Sequence, residues 1–255
     1  MEVTKMETIL EINGLSKKYK KHEVLKNVKM EIHKGDIYGF VGKNGAGKTT
    51  LIRIISGLTE KSGGGFKLFG IEDTDRNIVP ARKKVCAMVE SPAIYPELNA
   101  YDNMKMQCII TEHSYDCIEE LLGFVGLSDT GKKKARDFSL GMRQRLGIAM
   151  ALVNEPELML LDEPINGLDP EGIKQIRDLL LKMHDEKNVT ILISSHILTE
   201  LALFATRYGF IDHGEMIKEA TLEEIRAEAE EKGLVRKVID VDLEGYFMDL
   251  IGDTN

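Results

Sequence analysis

The stretch of sequence that decides the fold is Gly42-Lys43-Asn44-Gly45-Ala46-Gly47-Lys48-Thr49. It fits the pattern G-x-x-x-x-G-K-[ST], and it follows a short apolar run at Ile37–Val41. The next residues, 49–57, place apolar side chains at the spacing of a helix face. In such a strand, loop and helix, successive backbone N–H groups and the positive end of the helix dipole face one phosphate group. The sequence therefore predicts a phosphate-binding loop between a buried strand and a helix.

The residues of this loop have distinct predicted roles. Gly45 and Gly47 let the phosphates approach the backbone closely, because they carry no side chain. Lys48 supplies a mobile positive charge, and Thr49 offers its hydroxyl to Mg²⁺. We predict that these residues contact ATP: Gly42, Asn44, Gly45, Ala46, Gly47, Lys48, Thr49 and Thr50.

A second candidate site follows the apolar run Leu158–Leu161, which ends in Asp162 and Glu163. Placing two adjacent carboxylates at the end of a buried strand costs free energy, because charged groups lose contact with water there. Such a pair therefore indicates a functional site. We predict that Asp162 holds Mg²⁺ through water and that Glu163 polarises the water that attacks the γ-phosphate. Many buried strands run into acidic loops, so the coexistence of this pair with Lys48 is what gives it weight.

The order of strand and helix patterns predicts one α/β domain with an insertion. Alternating apolar residues at Thr8–Ile12 and Val24–Ile32 indicate an antiparallel opening. From about residue 93 to 153 helical spacing replaces the strand pattern, and strands and helices alternate again afterwards. We therefore predict a P-loop NTPase core with an antiparallel β subdomain and an inserted α-helical subdomain. These parts form a domain of residues 1–220, and a helical extension follows at 221–255, with helices predicted at Leu222–Lys232 and around Leu243–Ile251.

The inserted segment carries local helix signals of its own. Asn99 is a candidate helix cap. One apolar helix face is predicted from Ile118, Leu121, Leu122 and Val125.

Composition limits the classes of function for the 255-residue chain, which is 43% hydrophobic and 30% charged. Its apolar stretches fall far short of the ~20 residues that span a bilayer, and its start lacks a secretory pattern. A cytoplasmic location is therefore expected. The net charge of −8 argues against a general nucleic-acid binder. Cys86, Cys108 and Cys117 form no CxxC pair, so they are interpreted as reduced packing residues.

Three further motifs and Tyr19, together with the two sites above, resemble those of ATP-binding subunits of ABC transporters, and the resemblance extends from Tyr19 to His196. Phe138–Arg145 is a degenerate form of the family's Leu-Ser-Gly-Gly-Gln signature. Gly167–Pro170 matches the D-loop, and Ser194-Ser195-His196 ends a strand where the family keeps a histidine.

The resemblance implies a role for each matched residue. Tyr19 would stack on adenine, and Ser139 with Gly141 would grip a γ-phosphate. Asp169 would lie at the nucleotide and the partner chain, and His196 would contact the γ-phosphate as a catalytic residue beside Glu163 and Lys48.

The spacing between Ser139 and Asp162 bears on how many chains form one site. About fourteen helical residues at ~1.5 Å each carry the chain some 20 Å from Ser139 toward the strand that ends in Asp162. A second chain should therefore supply the signature. The resemblance implies two cassettes, either two copies of this chain or this chain with a paralogue, arranged head to tail around two ATP molecules.

Glu90 departs from the family pattern, in which glutamine stands at this position of the Q-loop. A glutamate oxygen can still bind Mg²⁺, but it adds a negative charge beside the metal. The glutamate resembles a subgroup that exports, or confers resistance to, antimicrobial peptides, including the bacitracin and lantibiotic systems. The following residues are candidates for a groove that receives a helix of a membrane subunit, or for subdomain core: Ile94, Tyr95, Pro96 and Leu98.

The resemblance thus implies an ATPase subunit that powers export through separate integral membrane permease subunits, held at the inner face of the membrane. One alternative is a soluble ABC-type ATPase that acts on nucleic acid or ribosomes. The single cassette, short insertion and acidic balance weigh against it. A second alternative is a regulatory subunit that senses ATP, and the intact Lys48, Asp162, Glu163 and His196 weigh against that function.

Overall fold

The computed structural model describes residues 7–231, 235–237, 240–241 and 243–252. Its strands are β1 Thr8–Tyr19, β2 His22–His33, β3 Ile37–Val41, β4 Gly63–Leu68, β5 Ile71–Glu72, β6 Val85–Met88, β7 Leu158–Asp162, β8 Thr190–Ser195, β9 Arg207–Asp212, β10 Glu215–Thr221, β11 Val235–Lys237 and β12 Asp240–Val241. Its α-helices are α1 Lys48–Ile55, α2 Ile78–Arg82, α3 Ala100–Thr111, α4 Ile118–Phe124, α5 Leu140–Leu152, α6 Pro170–Lys187, α7 Leu198–Leu201, α8 Leu222–Glu231 and α9 Leu243–Gly252.

A six-stranded sheet in the order β10-β9-β3-β8-β7-β6 forms the centre of the fold. All neighbouring strands are parallel except β10, which pairs antiparallel with β9 at one edge. β3, β7 and β8 are buried along their whole length, as expected for parallel strands covered on both faces. Val41 pairs with Ser195, and Asp162 pairs with Ser194, so the carboxyl ends of these three strands meet at one edge. Ligands of open α/β sheets bind at that edge.

A four-stranded antiparallel sheet, β2-β1-β4-β5, covers one side of the α1 region. Its apolar residues share one hydrophobic cluster with β3 and α1, which includes Leu10, Phe66, Phe40 and Leu51. This cluster fixes the loop between β3 and α1 against the antiparallel sheet.

Helices α3, α4 and α5 occupy the predicted insertion. The Asn99 side chain accepts a 2.8 Å hydrogen bond from the backbone N–H of Asp102, which confirms it as the cap of α3. All four residues of the predicted apolar face of α4 are buried in the main hydrophobic cluster. The limits of 93 and 153 for a separate subdomain stay a prediction.

Several elements are absent from the sequence-based expectations. β4 begins with Gly63-Gly64-Gly65, which have no side chains to show an alternating pattern. β6 is only four residues long, and periodicity cannot separate so short an apolar run from a helix segment. Helix α1 also ends at Ile55, two residues before the expected end at Gly57.

The C-terminal segment contains the two expected helices, α8 and α9, although Lys232, the expected last residue of α8, lies outside the described part. Tyr246 and Phe247 of α9 pack against Phe210 of β9, with ring centroids 5.8 and 5.9 Å away. The Tyr246 hydroxyl donates a 2.8 Å hydrogen bond to Glu228 of α8. The boundary between residues 220 and 221 stays a prediction, but α9 shares the main hydrophobic cluster.

Within the described ranges, every helix is too short or too polar to cross a bilayer.

Candidate functional site

A cavity of about 170 Å³ lies at the carboxyl edge of the central sheet, where the loop after β3 meets the end of β7. Its lining residues are Val24, Lys43, Asn44, Gly45, Ala46, Gly47, Lys48, Thr49, Thr50 and Glu163. The predicted phosphate-binding loop therefore forms this cavity almost alone. Val24, at the start of β2, was missed, because nothing in its local sequence marks it as part of a site.

Gly47 closes the loop onto β2. It caps α1 with a φ of 110°, which side-chain-bearing residues rarely adopt. A Cβ there would lie 2.6 Å from Leu25 Cδ2 and 2.9 Å from the carbonyl oxygen of Val24. Glycine is thus required both by the backbone conformation and by the close approach of β2.

The Lys48 side chain is almost fully buried at the base of the cavity. Its ammonium donates to the carbonyl oxygens of Gly42 and Lys43 at 2.5 and 3.3 Å, and it lies 3.2 Å from Glu163 Oε1. That carboxylate oxygen is buried and accepts no hydrogen bond from the described residues. The ammonium faces it as an ion pair, so the cavity floor carries adjacent positive and negative charges.

Asp162 is held by two hydroxyl groups. Thr49 Oγ1 donates a 2.7 Å hydrogen bond to Asp162 Oδ2, and Ser194 Oγ donates one of 2.7 Å to Oδ1. The role of Ser194 was not predicted from the sequence. Its signal was a polar residue inside the apolar run of β8, because a buried hydroxyl requires a partner.

Thr49 and Asp162 fit a Mg²⁺ site by the chemistry of their donors. Both offer oxygen atoms, which this cation prefers. Within the described residues, no three His, Cys, Asp or Glu side chains form a cluster suited to a metal ion. Two protein oxygens suit Mg²⁺, which usually keeps several waters and binds substrate phosphates.

Glu163 stands directly after Asp162 in a left-handed backbone conformation, with a φ of 50°. Its N–H donates to Ser194 Oγ at 3.0 Å, and its Oε2 lies 2.8 Å from His196 Nδ1. The structure therefore brings together five of the predicted catalytic and metal-binding residues, namely Lys48, Thr49, Asp162, Glu163 and His196.

Glu90 lies away from this group. Its side chain is largely exposed, and its Oε1 accepts a 2.6 Å hydrogen bond from Arg53 Nη2 of α1. The cavity lining does not include Glu90. The predicted metal ligand thus has an arginine partner that sequence analysis missed.

Ser139, Gly141 and Asp169 form a second group outside the cavity lining. Ser139 caps α5 by accepting from the N–H of Met142 at 3.2 Å, and Asp169 caps α6 by accepting from the N–H of Gly172 at 3.0 Å. A Cβ at Gly141 would lie 3.7 Å from Leu168 Cδ2, so the signature and the D-loop adjoin each other.

Tyr19 ends β1 and pairs with His22 across the turn to β2. Its ring is partly exposed, and the Lys17 ammonium lies 4.8 Å from the ring centroid. Tyr19 is not part of the cavity lining, so its predicted contact with adenine stays a prediction.

The chain is similar in sequence to known proteins over most of its length. Residues 25–166 match the sequence profile of the family described as ABC transporter. The lantibiotic transport ATP-binding protein SrtF of Streptococcus pyogenes is 44% identical over 211 residues, which are 83% of this chain and 90% of that protein. The bacitracin transport ATP-binding protein BcrA of Bacillus licheniformis is 41% identical over 222 residues, which are 87% of this chain and 72% of that protein.

A solved structure extends the comparison to the fold. The dimeric post-hydrolysis state of the ATP-binding cassette MJ0796, bound to ADP and Pi, has a TM-score of 0.74 and 26% sequence identity. The match covers 84% of this chain and 98% of that one. The predicted fold class is confirmed, and so is the resemblance to the bacitracin and lantibiotic relatives. The chain belongs to the ABC transporter family.

Proposed function

We propose that this chain is the ATP-hydrolysing subunit of an export transporter and that it acts through separate integral membrane subunits. The observation that carries the hydrolytic part of this proposal is the meeting of Lys48, Thr49, Asp162, Glu163 and His196 at one sheet edge, and the export part is supported by the transport relatives SrtF and BcrA. These residues supply the charge, the metal-binding oxygens and the base that metal-assisted phosphate hydrolysis requires.

Lys48 would exchange its loop carbonyl contacts for the β- and γ-phosphates of ATP. Mg²⁺, held through Thr49 and Asp162, would neutralise charge on the phosphates when bound. Glu163 would accept a proton from the attacking water, and His196 would orient the Glu163 carboxylate through its 2.8 Å contact. The fixed left-handed backbone of Glu163 would keep that carboxylate pointed at the cavity.

The proposed active unit contains two cassettes. The dimeric state of MJ0796 bound to ADP and Pi supports this arrangement. Ser139 and Gly141 lie outside the cavity lining of their own chain, which fits a role at the nucleotide of a partner. The partner would be a second copy or a paralogue, and Asp169 would lie at the same junction.

A groove of about 400 Å³ beside the Q-loop is the proposed contact with a membrane subunit. Its lining includes Leu58, Pro92, Ala93 and Gln107. The predicted groove residues Ile94, Tyr95, Pro96 and Leu98 are not part of this lining, and Ile94 packs against the main hydrophobic cluster instead. Leu58 is 67% exposed at this groove, and a helix of the membrane subunit would cover it. Through this contact the chain would sit at the cytoplasmic face of the membrane.

The proposed cargo is an antimicrobial peptide or a related amphiphile, because SrtF and BcrA are named for lantibiotic and bacitracin transport. Co-expression with candidate membrane subunits in a susceptible strain tests this. Wild-type chain should raise the tolerated concentration of the peptide antibiotic, whereas the Glu163→Gln variant should not. Equal tolerance with both variants would contradict ATP-powered export.

The hydrolytic function is tested with purified protein and the Glu163→Gln variant. The amide cannot accept the proton, so Mg-ATP binding should persist while phosphate release falls by about 10²-fold or more. Glu157→Gln is the matched control, because Glu157 immediately precedes the opposite end of β7 and pairs with Lys84. Retained turnover in Glu163→Gln would refute the assigned base.

A further inference from the structure

The four residues 89–92, called here the Q-loop segment, connect β6 to the helical insertion. Glu90 in this segment has a φ of 63°, a left-handed conformation that glutamate seldom adopts. Its carboxylate is tied to Arg53 at 2.6 Å. Arg53 stands on α1, one helical turn after Thr49, so the tether joins the Q-loop segment to the helix that carries a predicted metal-binding hydroxyl.

We propose that Arg53 is a positioning residue that holds Glu90 at the surface of α1 and sets how readily its carboxylate reaches the metal site. This inference rests on the proposed function, in which Thr49 and Asp162 hold Mg²⁺. Loading of the site would transfer the Glu90 carboxylate from the Arg53 guanidinium to the metal. No covalent bond changes in this transfer.

The charges around the cavity explain why such a partner is needed. Asp162 and Glu163 already provide two carboxylates, and Lys48 provides one ammonium. A third carboxylate would meet repulsion there before a cation binds. An uncharged glutamine would meet much less repulsion, so only a glutamate at this position calls for a cationic partner outside the site.

The exposure of the pair makes the transfer reversible. The Arg53 and Glu90 side chains are 38% and 67% exposed, and water screens ion pairs of this kind. Such a tether is strong enough to bias the position of Glu90 and weak enough to be broken by a divalent cation. A buried pair at this place would lock the Q-loop segment instead.

A double-mutant cycle of Arg53→Met and Glu90→Gln tests the proposal. Both substitutions are placed in the Glu163→Gln background, and binding of a fluorescent ATP analogue is followed as Mg²⁺ is titrated. Arg53→Met should lower the Mg²⁺ midpoint by about two- to fivefold, because Glu90 no longer has a competing partner. In the presence of Glu90→Gln, the same change should leave the midpoint within about 1.5-fold. Arg53→Lys, which keeps a cation, should restore most of the original midpoint.

Lys187→Met is the matched control. It breaks the Lys187–Glu120 pair, whose side chains are 31% and 70% exposed and whose members do not line the phosphate cavity. The Mg²⁺ midpoint should not move in this variant. An Arg53→Met shift of equal size with and without Glu90 would overturn the proposal, since it would report only the loss of a distant charge. An unchanged midpoint would also overturn it.

The same titration separates this inference from the proposed function. If the Glu163→Gln protein binds no ATP analogue at any Mg²⁺ concentration, the proposed function fails. If it binds and the Arg53 variants do not couple to Glu90, the inference alone fails.

Discussion

Ser194 Oγ donates a 2.7 Å hydrogen bond to Asp162 Oδ1, on the carboxylate oxygen opposite the one that Thr49 contacts. The same hydroxyl accepts the N–H of Glu163 at 3.0 Å. One buried serine on β8 therefore fixes both acids at the end of β7. The metal-binding oxygen of Asp162 and the carboxylate of Glu163 depend on a residue that is not expected to touch ATP.

Replacement of Ser194 by alanine should cost about 1–3 kcal/mol of unfolding free energy, because two buried partners lose a hydrogen bond. It should also weaken Mg-ATP binding, since Asp162 would keep only the hydroxyl of Thr49. Urea unfolding and nucleotide titration measure the two effects. Ser195→Ala is the control, because Ser195 Oγ accepts a hydrogen bond from the N–H of Ile197, and its loss should affect stability without affecting the nucleotide. Equal nucleotide affinity in both variants would contradict this role of Ser194.

His196 should matter for catalysis far more than for stability. Its side chain is 37% exposed, so His196→Ala should change the unfolding free energy by no more than about 0.5 kcal/mol. Loss of its contact with Glu163 Oε2 should slow phosphate release by about 10²-fold. His213→Ala is the control, since His213 is 88% exposed and its ring contacts Asp212. Wild-type turnover in His196→Ala would show that Glu163 needs no such partner.

The site residues that could be predicted from the sequence are those that belong to a contiguous motif. The loop 42–49 and the pair Asp162-Glu163 each indicate their chemistry within a few positions. Arg53 and Glu90 stand 37 positions apart and meet only because α1 and β6 belong to one packed body. No local signal separates Arg53 from any arginine on an exposed helix face.

The strands also divide into those that local sequence predicts and those that depend on tertiary packing. β3 and β7 could be predicted because unbroken apolar runs mark fully buried strands. β9 and β10 were missed because their alternation is weak and their register depends on tertiary contacts, including the packing of Phe210 against α9. Tertiary packing also decides the burial of Glu219 on β10, which sequence alone presents as an ordinary surface acid.

Glu219 should make stability depend on pH. Burial raises the pKa of its carboxyl group above the ordinary value, and the nearby charge of Glu31 raises this pKa further. A 2.9 Å hydrogen bond from the Tyr38 hydroxyl and the charge of Arg207 lower the pKa, but they do not cancel the effect of burial. The unfolded chain ionises near the ordinary value of about 4.3, before the folded protein does. The contribution of Glu219 to the unfolding free energy should therefore be fully present below that pH. It should be lost as the pH rises through the higher pKa of the folded protein.

The test compares Glu219→Gln with wild type by urea unfolding from pH 4 upward, a range set as about the ordinary glutamate pKa and above. The stability of the variant relative to wild type should increase with pH across this window and then level off. Tyr38→Phe removes a hydrogen bond that favours the carboxylate, so it should extend the window to higher pH. If the difference in unfolding free energy between Glu219→Gln and wild type is constant with pH, the raised pKa of Glu219 is contradicted.

Gly147 on α5 allows Pro92 of the Q-loop segment to pack closely against this helix. A Cβ at this position would lie 2.5 Å from Pro92 Cβ and 3.1 Å from Met88 Sδ. The proline ring is rigid, so Gly147→Ala must push the Q-loop segment off α5 or shift the helix. We expect a loss of about 1–3 kcal/mol from this overpacking, offset by less than about 1 kcal/mol of gained helix propensity.

Gly141→Ala on the same helix isolates the cause of that loss. Its added methyl group would lie 3.7 Å from Leu168 Cδ2, an ordinary contact, so the unfolding free energy should not fall and should rise by up to about 1 kcal/mol from the gained helix propensity. Urea unfolding of both variants gives the comparison, and hydrogen exchange of the backbone amides of residues 89–91 should increase only in Gly147→Ala. If the two alanines are equally tolerated, the Pro92 contact does not fix the Q-loop segment. If Gly147→Ala alone is destabilised and also speeds exchange of the amides of residues 89–91, then α5 as well as Arg53 holds the Q-loop segment in place.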